Sequence, residues 1–402
     1  MHAPSWRIIG KGVYWLSIPD TRSKLFESIW PIPNGVNYNA YLVADGDEYL
    51  LIDSSKNVFL AEELIGLIKD ITDPSRIRHV AVLHTEPDHS GLIGEISNIV
   101  GNPILYSTSR ASAFMKSMFN VETRIVKDGD MIKVGDRVLR VVELPWIHWP
   151  DTMLLYLEDE KILFSSDAFG AFGALEKPVF DDEVDFESYM HDSKEYFATV
   201  VVAHRQMVLR ALEKVNRLGL NLRIIAPAHG AVLRSKIPEV IHELASWCRL
   251  EKKRKITIIY GSMYGLTEKL AEFTRDVIKG MVKEVAMHNI VDDDINHVLS
   301  DTVDSAGVVF ITPTYEVNVF PPMSNIVELM RIKRLGEGKF AAVAVTKLWG
   351  GTAGNQLSLK LKEAGYEIFT PVCEYVNYPG ENDLKEYRKT LEAFAEKALG
   401  AL

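Results

Sequence analysis

Cysteine is nearly absent: the 402 residues hold two, Cys248 and Cys373, in different halves of the chain. No C-x-x-C pair exists, so the chain carries no rubredoxin or iron–sulfur module of its own. Two unrelated thiols are expected rather than a disulfide, as suits a reducing compartment. Long hydrophobic runs are also lacking, and the opening Met1-His-Ala-Pro-Ser-Trp-Arg7 is polar and has no signal-peptide pattern, so a cytoplasmic protein with no membrane partner is expected. Cationic excess is missing too: 45 Lys and Arg stand against 55 Asp and Glu, a net charge of −10, which argues against nucleic acid as a partner. The sequence shows no internal repeat and no low-complexity segment. What is present in quantity is apolar residues, 47% of a chain longer than one core normally fills. Two domains are expected.

The densest chemistry is the run HTEPDH, which places His84, Glu86, Asp88 and His89 directly after the apolar stretch Val80-Ala-Val-Leu83. Residues i and i+2 of an extended segment point the same way, so His84 and Glu86 reach one point while Asp88 and His89, on the following loop, reach a neighbouring one. The local pattern reads as two metals. Three further donors follow apolar strands: His148 after Arg140 to Ile147, Asp167 after Lys161 to Ser166, and His229 after Leu222 to Ala228. Singly, each is more often a cap or a turn residue. Beside the first cluster they read as the rest of one ligand set.

This spacing resembles the metallo-β-lactamase superfamily, whose usual motif is HxHxDH. Glu86 stands where its hydrolases have His, and a carboxylate there makes the site harder and more negative. Four imidazoles and three carboxylates without a thiolate suit iron or manganese at least as well as zinc. Redox chemistry becomes plausible alongside hydrolysis.

The second half begins with a charged stretch, Arg249 to Lys255, in which Lys252-Lys-Arg-Lys255 reads as a solvated linker face and marks the boundary between domains 1–253 and 254–402. The apolar strand Ile256 to Tyr260 then runs into Gly261-Ser-Met-Tyr-Gly-Leu-Thr267 and a helical pattern from Glu268. A strand, a glycine- and hydroxyl-bearing loop and a helix start make an anion site, because free N–H groups and the helix dipole favour a phosphate. The loop Ser262, Met263, Tyr264, Gly265, Leu266 and Thr267 resembles the FMN phosphate loop of flavodoxins, SxYGxTE. Two further loops follow strands where a flavodoxin holds its isoalloxazine ring: Pro313, Thr314, Tyr315 and Glu316, then Thr346, Lys347, Leu348, Trp349, Gly350 and Gly351. Tyr315 and Trp349 are the candidates to stack on the ring. Elsewhere, helical patterns are expected from about residue 186 to 218 and from about 238 to 250.

Taken together, the expected class is α/β, a metallo-β-lactamase-like αββα sandwich followed by a flavodoxin-like doubly wound parallel sheet. HxExDH in the first part and SxYGxTE in the second make the chain similar to the flavodiiron proteins, with His148-Trp-Pro-Asp-Thr-Met153 and Tyr38-Asn-Ala-Tyr41 adding to the likeness. The resemblance implies two non-haem irons and FMN. His84, Glu86 and His148 would bind one iron, Asp88, His89 and His229 the other, and Asp167 would bridge. It implies reduction of dioxygen to water, of nitric oxide to nitrous oxide, or both. Dioxygen needs four electrons; an iron pair and a reduced flavin carry two each.

By the same resemblance, electrons come from a separate donor such as rubredoxin, another flavoprotein or a reduced deazaflavin. The working unit would be a head-to-tail homodimer, or a dimer of dimers. Phe26, Glu27, Trp30 and Tyr196 would lie near the open face of the diiron site. Two departures bear on tuning: Thr346-Lys-Leu precedes Trp349 where a glycine-rich loop is often found, and Phe26-Glu-Ser-Ile-Trp30 stands where some members carry His-Gly-Tyr. A zinc hydrolase with an accessory flavodoxin-like domain and a gas or redox sensor remain the alternatives, separable by metal analysis and by steady-state gas consumption.

Overall fold

Strands Met153–Leu157, Ile162–Ser166 and Ile224–Pro227 are buried along their whole length, as strands covered on both faces must be. In the computed structural model, which describes residues 4–56, 60–175 and 179–401, these belong to a five-stranded sheet with Met131–Val134 and Arg137–Glu143. Residues 1–3 of the polar opening stretch lie outside the described residues. The chain divides into two compact units, Met1–Cys248 and Arg249–Leu402.

In the first unit the five-stranded sheet faces a seven-stranded one, in spatial order Ser5–Gly10, Val13–Asp20, Val36–Asp45, Glu48–Ile52, Ile77–Ala81, Ile104–Ser107 and Arg124–Ile125. Trp15, Tyr41, Leu50 and Ile52 from one sheet and Leu139, Val141, Met153, Leu155 and Phe164 from the other form one core. The Tyr41 and Phe164 rings meet edge to face across it at 5.2 Å. The alternate residues Leu154 and Leu163 point to the other face, toward helices Arg205–Arg217 and Ile237–Arg249. This is the αββα sandwich of the metallo-β-lactamase fold.

Backbone bonds tie the sheets together at one end. Met153 N–H donates to Leu83 O (2.8 Å), Ala228 N–H to Ser166 O (2.9 Å) and Asn39 N–H to Ala228 O (2.8 Å). The loops that carry His84, Asp167 and His229 are thereby fixed relative to one another.

The helical pattern over 186–218 is interrupted in the structure. An α-helix, Phe186–Tyr196, gives way to a π-helical turn, Phe197–Val201, then to a 3-10 turn, Val202–His204, before Arg205–Arg217 resumes. No proline or glycine marks the break. Thr199 Oγ1 donates to Glu195 O (2.7 Å), drawing that carbonyl out of the regular ladder, and the β-branched run Thr199 to Val202 disfavours a tight helix.

In the second unit, Lys253–Tyr260, Glu284–Asn289, Ser305–Tyr315 and Phe340–Lys347 are parallel, with Glu367–Ile368 and Cys373–Val376 both pairing with the last of these. Counted along the chain the order is 2-1-3-4-5, the doubly wound order of flavodoxins, which reverses direction between the first and third strands. Lys255 corrects the reading of a solvated linker. It is buried at 2% exposure within the first strand, its Nζ 2.6 Å from Asp304 Oδ1 and 3.0 Å from Asp301 Oδ1. The two cysteines are both buried, one in each unit. No helix among the described residues is long and apolar enough to cross a membrane.

Candidate functional site

His84 lies just beyond strand Ile77–Ala81, fully buried, and its Nδ1 is 2.9 Å from Ser166 Oγ. The turn that follows is pinned by Asp151, whose Oδ2 accepts from Thr85 N–H (2.9 Å) and Thr85 Oγ1 (2.7 Å). Glu86 then caps the one-turn helix Pro87–Ser90, which presents Asp88 and His89. His229 follows Ile224–Pro227, and its Nδ1 is 2.7 Å from Asn37 O. The turn bearing it is held by Asn39 Nδ2, which donates to Pro227 O (3.0 Å) and Gly230 O (2.9 Å), and by Tyr41 OH, which donates to Pro227 O (2.6 Å). The string Tyr38 to Tyr41 thus acts through the position of His229.

The other six donors converge on Asp167. Its Oδ2 faces His84 Nε2 at 3.1 Å and His148 Nε2 at 3.0 Å, while Glu86 Oε2 closes that group at 2.8 Å from His148 Nε2. Its Oδ1 faces His89 Nε2 at 3.1 Å and His229 Nε2 at 3.4 Å, with Asp88 Oδ2 3.3 Å from His229 Nε2. One carboxylate therefore serves two donor sets, one oxygen each. His89 sits in the second set, with its Nδ1 3.4 Å from Asp53 Oδ2, an arrangement that aims Nε2 inward.

The buried atoms at this convergence fit metal ions. Both carboxylate oxygens of Asp88 and Asp167, and Nε2 of His89 and His229, are buried and face one another at 3.1–3.4 Å without well-aligned hydrogen-bond geometry. Such buried groups are costly unless something else satisfies them. Ligands about 2.1 Å from a common ion stand roughly 3 Å apart along the edge of an octahedron, which is the spacing seen here. Nitrogen and oxygen donors without a thiolate suit iron.

The charges reinforce one another. Burial works against ionised Glu86, yet hydrogen bonds from His148 and His84 outweigh it and hold the carboxyl at about 2. Burial likewise opposes protonated His148 and His229, but hydrogen bonds to Asp167 with Glu86 or Asp88 lift them to about 10 and about 9. Metal binding must displace those protons.

An aromatic wall closes one side. Phe26 lies 5.5 Å from the His229 ring and Tyr196 5.6 Å, and Phe172, which the sequence did not single out, packs on both at 5.7 and 5.2 Å. The Tyr196 ring rests on Gly170, where a Cβ would come within 2.7 Å of it. Burial, then the carboxylates of Asp167, Asp88 and Glu86, push the Tyr196 phenol well above its ordinary range, so it stays protonated. Trp30 Nε1 donates to Glu27 Oε2 at 2.8 Å, bracing the hairpin of Leu25–Phe26 and Trp30–Pro31.

In the second unit the three loops after the first, third and fourth strands line one groove of about 340 Å³. Met263, Tyr264, Leu266, Thr267, Pro313, Thr314, Tyr315, Glu316, Thr346, Lys347, Leu348 and Trp349 contribute, joined by Val317 and Asn377, which the sequence did not flag. Ligands of doubly wound sheets bind at this switch point. Gly265 caps helix Leu266–Ile278 at φ +83°, which favours glycine, and Ser262 Oγ accepts from its N–H at 3.0 Å. Thr267 Oγ1 lies 2.8 Å from Thr346 Oγ1, joining the first and third loops. Lys347 is drawn to Glu374, with Nζ 2.6 Å from Oε2. Gly351 has φ +114°, and a Cβ there would meet Thr314 Cγ2 at 2.7 Å, so the second and third loops approach closely at a glycine. Tyr315, Leu348 and Trp349 are exposed at the rim.

Residues 36–230 match the family described as ODP family beta lactamase, and residues 258–390 match the flavodoxin family. A nitric oxide reductase of Moorella thermoacetica is 30% identical over 385 residues, spanning 94% of this chain and 95% of its own length. The flavodiiron protein from Giardia intestinalis superposes with a TM-score of 0.93 at 26% identity, over 99% of this chain and 97% of that one. Rubredoxin oxygen:oxidoreductase from Desulfovibrio gigas, at 23% identity, shares the fold with a TM-score of 0.94 over 99% of both chains. With two donor sets meeting on Asp167 in one unit and a three-loop groove on a flavodoxin sheet in the other, the chain belongs to the flavodiiron proteins, the family that joins a non-haem diiron centre to an FMN-bearing domain.

Proposed function

We propose that this protein reduces dioxygen to water, nitric oxide to nitrous oxide, or both, using electrons that FMN receives from a separate donor. The observation that carries the reading is the division of Asp167 between two donor sets, one of which holds Glu86 in place of a third imidazole. His84, Glu86 and His148 would hold one iron and Asp88, His89 and His229 the other, with Asp167 available to both. When bound, the pair supplies gas binding and two electrons.

The protein's own groups do the rest. Ser166, Asn37 and Asp53 fix the ring orientations of His84, His229 and His89. Phe26, Phe172 and Tyr196 exclude water from the His229 side, and the protonated Tyr196 hydroxyl is the hydrogen-bond donor available there. In the other unit the start of helix Leu266–Ile278 would hold the FMN phosphate, and Tyr315 and Trp349 are the residues that would flank its ring. A rubredoxin, another flavoprotein or a reduced deazaflavin supplies the electrons, the protein works in the cytoplasm, and a head-to-tail dimer brings each flavin to the partner subunit's irons.

Elemental analysis tests the reading. Protein grown with iron should hold about two irons per chain, the content of a two-metal site. Active protein with zinc and no iron would end it in favour of hydrolysis.

A further inference from the structure

The first unit contains an apolar cavity of about 360 Å³ on the helix side of its five-stranded sheet. Leu154 and Leu163 form its floor, Val208 and Ala211 of helix Arg205–Arg217 one wall, and Ile241 and Leu244 of helix Ile237–Arg249 the other. Among the described residues its only polar side chains are Asn216 and Asn221, both exposed, so the cavity opens to solvent there. No charged group among the described residues lines it. A ligand with a charged head has nothing to hold it, whereas large cavities lined by aliphatic groups stay dry and take apolar guests.

Ala168, Phe169, Val208 and Leu244 also line a second, narrow void of about 10 Å³, whose other walls include Tyr196 and Asp167. A void that small holds roughly one water-sized probe, and it lies beside the apolar space with Asp167, the residue on which both donor sets meet, in its lining. Phe197 and Val201 of the π-helical turn form part of its wall, where the helix ladder is already loosened. The residual exposure of the donors lies instead on Glu86 (13%), His148 and Asp88 (10% each), a polar face suited to water and protons.

We propose that the cavity is the gas reservoir of this enzyme: small apolar diatomic gases partition into it and reach the Asp167 centre through the narrow void at Phe169 and Tyr196, apart from the polar face. This rests on the gas-reducing function proposed above.

Two measurements test it. Crystals of the holoprotein pressurised with xenon should show xenon between Leu154, Ala211 and Leu244. Ala211→Phe and Val215→Phe, which fill the space away from that void, should lower kcat/KM for the gas by at least about fivefold through KM, with kcat at saturating gas, iron and FMN unchanged. An empty cavity under xenon, or unchanged kcat/KM in a variant that keeps both cofactors, overturns the proposal. So does a fall in kcat at unchanged KM. Failure of the wild-type holoenzyme to consume either gas would refute the function itself, and is distinguishable because xenon occupancy needs no turnover.

Discussion

Glu86 Oε2 lies 2.8 Å from His148 Nε2, with both side chains turned toward Asp167. A carboxylate at this position gives one donor set a net charge that an imidazole would not, and favours a harder ion.

Glu86→His should therefore shift metal choice. In protein grown with equal iron and zinc, the iron-to-zinc ratio should fall by about tenfold or more, the scale on which changes around a metal ligand act. Elemental analysis after chelator-free purification reads the ratio directly, and an unchanged ratio would mean that residue 86 does not select the metal.

Asp53 supports His89 from behind, and its Oδ1 also accepts from Leu83 N–H at 2.8 Å. Asp53→Asn keeps an acceptor for that N–H but loses the carboxylate facing His89 Nδ1. Iron in the second donor set should bind about 10- to 100-fold more weakly, so that dialysis against a mild chelator leaves close to one iron per chain. Retention of both irons would remove His89 from the ligand set.

Asp301 sets an acid limit for the second unit. Burial opposes its ionisation, but the His288 hydrogen bond and the charge and hydrogen bond of Lys255 hold it well below its ordinary value of 3.8. A folded-state value below the unfolded one means the stabilisation is present above about pH 4 and is lost as pH falls further. Asp301→Asn should cost roughly 1–3 kcal/mol at pH 7, the loss of hydrogen bonds to a charged partner, and the gap from wild type should begin to narrow as pH falls below about 4. Melting curves across that range check it; a gap independent of pH would contradict the ion-pair origin.

Pairing of flavin and iron across subunits is tested by hybrids. His229→Ala is designed to lose the diiron centre, and Ser262→Ala with Thr267→Ala to lose FMN, so each homodimer should be nearly inactive. Random co-folding of the two makes about half the dimers hybrid, each with one intact flavin facing one intact iron pair, and returns roughly a quarter of wild-type activity for a two-fold assembly. A hybrid verified by mass and cofactor content yet inactive would place electron transfer within one chain.

The seven donors and the three flavin loops were legible because each follows an apolar strand, and strand ends are where α/β folds collect side chains. Their partners were not. Ser166, Asp53 and the carbonyl of Asn37 touch ligands 82, 36 and 192 positions away, and nothing local marks a hydroxyl or a carbonyl as the support of a distant imidazole. The break at Phe197–Val201 escaped because periodicity continues through it, and its cause, Thr199 bonding back to Glu195, is a side-chain choice. Lys255 was misread because four basic residues in a row look solvated, whereas Asp301 and Asp304 lie three elements further on and bury it.

The measurement closest to the central claim is gas consumption by the iron- and FMN-loaded enzyme with a chemically reduced donor, run in parallel for dioxygen and nitric oxide with the electrons counted. The account predicts sustained consumption of at least one gas, at about four electrons per dioxygen taken to water or about one per nitric oxide, abolished when iron is removed. Fully loaded enzyme that turns over neither gas, or activity that survives with zinc alone, would contradict it.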